Sequence, residues 1–162
     1  MTTKKKYYSL IYSAKQNAEL YALHRYWIWS NTLRMKFAAS LDTASEKIEN
    51  GEGFISENAV FMSYWYTSLY VVVEGYKELK LSDPVVDELL ESDLVDSLRL
   101  YRNGTAHFQK NYFDQKFCRF ISQNESAIWV TNLCNALGQF LMEEMKKRKL
   151  LTQQKYPLTH KR

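Results

Sequence analysis

Five glycines and two prolines are all that a chain of 162 residues has here to turn with. A sandwich or barrel needs a turn signal about every 8 to 12 residues, and Gly51, Gly53, Gly75, Gly104, Gly138, Pro84 and Pro157 cannot supply that many. Few, long elements are therefore expected. The length fits one domain, which at this size buries roughly 70% of its unfolded surface and needs no staple. Hydrophobic residues at 46% and charged residues at 25% exclude a disordered chain.

The apolar spacing makes those elements helices. From Ser13 to Lys47, Leu20, Leu23, Trp27, Phe37, Leu41 and Ala44 recur at three- and four-residue steps, with a weaker stripe and a bend expected near Ser30 and Asn31. Asn50 and Gly51 supply a stop. A second helix is predicted from Ser56 to about Leu79, opened by the Ser56 cap and an Ile55–Val60 staple. It is apolar nearly all round and so central, which makes Glu74 within it unusual, since a carboxylate is rarely buried without a partner. A third helix is predicted from Ser82, Asp83 and Pro84, with Val86, Leu89, Leu90, Leu94, Leu98 and Tyr101 on one face and six acidic residues from Asp83 to Asp96 on the other. After His107 the periodicity is lost, until Ser122 and Glu125 form the capping-box pattern of a last helix carrying Val130, Leu133, Cys134, Leu137, Phe140 and Leu141. The expected fold is all-α: an up-and-down four-helix bundle over residues 1–150 with a short extra helical segment, then a basic tail, 151–162.

Composition narrows the setting. The start of the chain lacks the apolar run of a secretory signal, and Cys118 and Cys134 fit no metal-ligand spacing, so both are expected as reduced thiols in packed surfaces of a cytoplasmic protein. The most apolar stretch, Ala59 to Val73, falls short of the roughly 20 residues a membrane span needs. Net charge is +4, concentrated in Lys4 to Lys6 and in the C-terminal run from Lys146 to Arg162. Such basic ends suit phosphate backbones or serve as solvated tails. The aromatic share of 15%, with 12 tyrosines, suits core and dimer contacts, or base stacking.

The one string that suggests chemistry is Leu98 to Phe108, LRLYRNGTAHF, in which Arg102 and Asn103 are followed by His107, five positions after the arginine. An imidazole moves protons near neutral pH, and a guanidinium presents a planar fork of donors to phosphate oxygens. Residues five apart on a regular helix are rotated by about 140° and cannot both face one small site, so either Gly104 distorts the helix or a second copy completes the site. Glycine-rich phosphate loops, a Ser-His-Asp order and paired metal-binding cysteines are absent from the sequence.

On Arg102, Asn103 and His107, set late in a helical layout running from about Ser13 to Leu150, the chain resembles the HEPN (higher eukaryotes and prokaryotes nucleotide-binding) family, whose motif is Arg-polar-x-x-x-His. The resemblance implies a homodimeric, metal-independent endoribonuclease without cofactor, acting in toxin-antitoxin or phage-defence systems. It assigns catalysis to Arg102 and His107: His107 would take the proton of a ribose 2'-hydroxyl or give one to the leaving 5'-oxygen, and Arg102 would offset charge on the phosphate. Asn103 would support them, and Glu74 would be a counter-ion of Arg102 or Arg99 or a third site residue. The alternative is a non-catalytic helical dimer that binds nucleic acid, a nucleotide or a protein partner, with Arg99 and Arg102 in surface ion pairs to Asp96 and Asp93. A subunit paired with an antitoxin or a nucleotidyltransferase fits the same fold.

Overall fold

The computed structural model describes residues 17–48 and 57–154. Among them the chain forms six helices and no strand: α1 (Ala18–Ile48), α2 (Glu57–Glu78), α3 (Pro84–Leu90), α4 (Leu94–Ala106), α5 (Gln115–Ile121) and α6 (Ser126–Gln154). The all-helical expectation holds. The Ser56 cap, the Ile55 staple partner, the Asn50–Gly51 stop, the Lys4 to Lys6 run and Lys155, Lys161 and Arg162 lie outside the described residues, while α6 runs to Gln154, into the stretch expected as tail.

α1 is continuous through Ser30 and Asn31, where a bend was expected. The stripe dips there because Ser30 is fully buried at a tight contact with α6, its side chain and that of Arg34 lying beside the Cys134 thiol. Burial pushes that thiol's pKa up. One turn earlier, the Trp27 indole N–H donates to the Cys134 carbonyl at 2.9 Å. Its ring lies so close to α6 that a Cβ on Gly138 would stand 2.3 Å from Trp27 Cζ2. Cys134 is thus packed as expected, whereas Cys118 is exposed.

The predicted third helix is in fact two, parted at Glu91–Asp93. Asp83 caps α3 by accepting from the amides of Val85 and Val86, both at 3.1 Å, with Pro84 in the first turn where its missing N–H is not needed. At the far end the Leu89 carbonyl accepts from the Trp129 indole N–H at 3.0 Å, instead of from the amide a continued helix would offer. The Ser92 hydroxyl then accepts from the Leu94 amide at 3.2 Å and opens α4. The break lets α3 pack on α6 while α4 packs on α2 and α5.

α6 begins at Ser126, not at the Ser122–Glu125 pattern. Ser122 instead closes α5, its amide donating to the Cys118 carbonyl at 2.9 Å. The short α5 sits in the region without periodicity, because it buries one ring, Phe120, rather than a stripe.

The core draws on all six helices, from Leu20 and Leu23 of α1 and Val86 of α3 to Leu137 and Leu141 of α6, and its aromatic cluster around Tyr66 and Tyr101 lies among α2, α4 and α5. Tyr66 meets Tyr101 and Phe120 edge-to-face at 5.4 and 5.2 Å, and Tyr101 meets Phe117 at 5.5 Å. Tyr101 also shares a hydrogen bond with Ser63 at 2.8 Å. Of the eight described tyrosines, Tyr66, Tyr70, Tyr76 and Tyr101 are core. Burial pushes the Tyr66 pKa up to about 12, and raises that of Tyr76, whose hydroxyl donates to Asp87 at 2.8 Å. No helix among the described residues is long and apolar enough to cross a membrane.

Candidate functional site

The four expected site residues divide between two helices and a helix end. Arg102 rises from the last turns of α4 against α2, whose Tyr70 and Glu74, one turn apart, share the facing side. Its Nη2 donates to Glu74 Oε1, its Nη1 donates to Asn103 Oδ1 at 2.9 Å, and its Cζ lies 5.2 Å from the Tyr70 ring centroid. Of the two counter-ion candidates, Arg102 and Arg99, Glu74 pairs with Arg102; Arg99 pairs with Asp96 at 3.2 Å. Arg102 is thus not matched to Asp93. Glu74 is not buried, as a helix apolar all round had suggested, but 43% exposed at the rim beside Arg102 at 26%.

A guanidinium carries five N–H donors. One is held by Glu74 and one by Asn103, and the Nε–H is buried without a partner among the described residues. Two donors remain to meet a ligand. Burial foremost, then the Glu74 carboxylate, raises the pKa of Tyr70 beneath this group, so the ring stays neutral and its π face remains available to the cation.

His107 stands where α4 ends. Its backbone is extended, φ −127° and ψ 138°, and its amide donates to the Asn103 carbonyl at 3.2 Å. The side chain is exposed. Leaving the helix at that residue frees the imidazole from the 140° rotation expected of an unbroken helix. Gly104 does not cause this, for α4 continues through it. Gly104 is buried because α5 presses against it: a Cβ there would stand 3.1 Å from Lys116 Cβ and 3.2 Å from the Phe117 ring.

The loop beyond is tied down. The Gln109 amide donates to the His107 carbonyl at 2.6 Å, and its oxygen accepts from Lys116 Nζ at 2.8 Å. The Phe113 amide donates to Asn111 Oδ1 at 3.0 Å, and Asp114 caps α5 through the Lys116 amide at 2.9 Å. The His107 backbone is thus held on both sides, by the Asn103 carbonyl and by the Gln109 side chain.

Tyr70 was missed from sequence, although its position four residues before Glu74 puts both on one face of α2. Of the other two histidines, His24 stacks on Trp27 at 5.9 Å, and His160 lies outside the described residues. A cleft of about 330 Å³, lined by residues 17–20 with Leu79, Leu81 and Arg148, holds none of the four expected residues. No group of three or more metal-ligating side chains occurs among the described residues.

The arrangement offers a fixed cation with two donors to spare, a polar neighbour and an imidazole at one end of a helix. That set can bind a phosphate and move a proton. No protein-family model, curated protein or solved structure matches the chain.

Proposed function

We propose that this chain is a metal-independent endoribonuclease that works as a homodimer, with Arg102 and His107 in the reaction and Asn103 and Glu74 positioning the arginine. The fold in this reading is a HEPN-like helical bundle. The observation that carries it is the fixation of Arg102 with donors to spare. Glu74, Asn103 and Tyr70 hold the guanidinium, two donors stay uncommitted, and exposed His107 follows at the end of the same helix. A guanidinium held in this way loses little freedom on meeting a phosphate and can act on charge that develops there. His107 takes the 2'-hydroxyl proton or gives one to the 5'-oxygen, leaving a cyclic phosphate. A two-fold axis beside the α4 end would bring both copies of these residues to one groove. A toxin or phage-defence role suits such an activity.

A second reading draws on the same ion pair. With its charge already matched by Glu74, Arg102 fits a non-catalytic dimer that binds nucleic acid, a nucleotide or a protein partner.

Incubating a mixed RNA pool in EDTA with wild type, His107→Ala and Arg102→Ala, each checked for folding and for mass in solution, decides between them. The ribonuclease reading expects a dimer that cuts and two folded variants that do not. Equal inertness of all three, or activity that returns only with a divalent ion, refutes it.

A further inference from the structure

Between α4 and α5 the chain presents three rings to solvent within six residues: Phe108, Tyr112 and Phe113 are 91%, 61% and 63% exposed. Rings of this size normally carry their apolar area inward. These are displayed on the tied loop described above. Tyr112 and Phe113 also hold each other edge-to-face, 5.1 Å apart at 86°.

The surroundings indicate what the rings meet. From Arg99 to Ile121 the chain carries five cations and one acid, Asp114, whose carboxylate is engaged in the α5 cap; Arg99 and Arg102 are paired to Asp96 and Glu74, which leaves Lys110, Lys116 and Arg119 without an acidic partner among the described residues. A polyanion with flat, unpaired bases answers both features at once: the phosphates meet the cations and the bases meet the rings.

We propose that Phe108, with Tyr112 and Phe113, is a stacking platform for unpaired nucleobases that delivers a strand to His107 and Arg102. The proposal rests on the RNA reading above and adds to it the residues that hold the bases. Phe108 adjoins His107 in the chain, so a base stacked on it brings its own sugar-phosphate to the end of α4. Stacking on a ring face tolerates every base, so the platform selects for unpaired strand and not for sequence.

The test uses the full-length protein carrying His107→Ala, so that binding is read without cutting, and three fluorescent probes: a short unstructured RNA, the same strand annealed to its complement, and the same strand made abasic. Anisotropy should show the intact single strand binding about tenfold tighter than either other probe, the scale of one base stacked on one ring. Adding Phe108→Ala should remove about that tenfold for the intact strand and leave the abasic strand unchanged, and Phe108→Trp should restore it. At 91% exposure Phe108 supports no core, so the melting temperature should not move. Equal binding of all three probes overturns the platform. A dimer that falls to monomers on Phe108→Ala overturns it as well and assigns the ring to a contact between copies. RNA cut normally by a Phe108→Ala protein with unaltered affinity refutes the platform alone; RNA bound as described yet never cut by wild type refutes the cleavage reading alone.

Discussion

Substituting Gly138→Ala should destabilise the protein by about 2 kcal/mol, although alanine is the better helix former. In an exposed helix the exchange would gain about 1 kcal/mol. Here the new methyl would stand 2.3 Å from Trp27 Cζ2 and 2.7 Å from Cε2, distances that no packed carbon accepts. The indole cannot simply slide away, because its N–H donates to the Cys134 carbonyl one turn before Gly138. Moving it gives up a hydrogen bond worth about 1 kcal/mol and strains the α1–α6 contact by about 2 kcal/mol more, so the loss exceeds the helical gain by about 2 kcal/mol. Urea unfolding followed by circular dichroism should show that loss, with a melting temperature lower by roughly 4 to 8 °C. Replacing Trp27 by Leu in the same chain should make Gly138→Ala nearly neutral, since the two changes act on one contact. A Gly138→Ala protein as stable as wild type, with its tryptophan fluorescence unchanged, would refute the close approach.

Two further outcomes follow from the core and from the arginine. Tyr66 keeps its proton to about pH 12 when folded, whereas an unfolded tyrosine releases it near 10. The stability this represents is whole below pH 10 and is lost as pH rises towards 12, by about 2 to 3 kcal/mol for Tyr66. Urea midpoints taken across that window should fall steeply in wild type and less steeply in Tyr66→Phe; parallel slopes would disprove the assignment. Glu74→Gln removes the charge that holds Arg102 and, the carboxylate being 43% exposed, should cost under about 1 kcal/mol of stability. If the cleavage reading is right, it should lower kcat about tenfold or more, because the guanidinium loses its fixed position. A kcat equal to wild type would remove Glu74 from the site.

The helical class was legible because it depends on the turn residues available and on apolar spacing, both of which are properties of the chain itself. The cap at Asp83 was legible for the same reason, since cap and proline act locally. The break after Leu90 was not, because the agent that produces it, the Trp129 side chain, comes from 40 residues away. Gly104 was read as a flaw in its helix, whereas its meaning lies in α5, whose single buried ring leaves no periodic trace. At the site, Arg102, Asn103 and His107 could be picked out as a string. That His107 stands beyond the last helical turn, and that Tyr70 lies beneath the guanidinium, depend on where α4 ends and on how it crosses α2.

The parting of α3 from α4 divides loyalties within what the sequence writes as one helix. The acidic first half is fastened to α6 through the Trp129 indole, and the second half, which bears Arg102, leans on α2 and on the seven residues of α5. So short a helix has little stability of its own and depends on what it packs against. A perturbation of α5 would thus act on the half that bears Arg102 and leave the clasp between α3 and α6 in place.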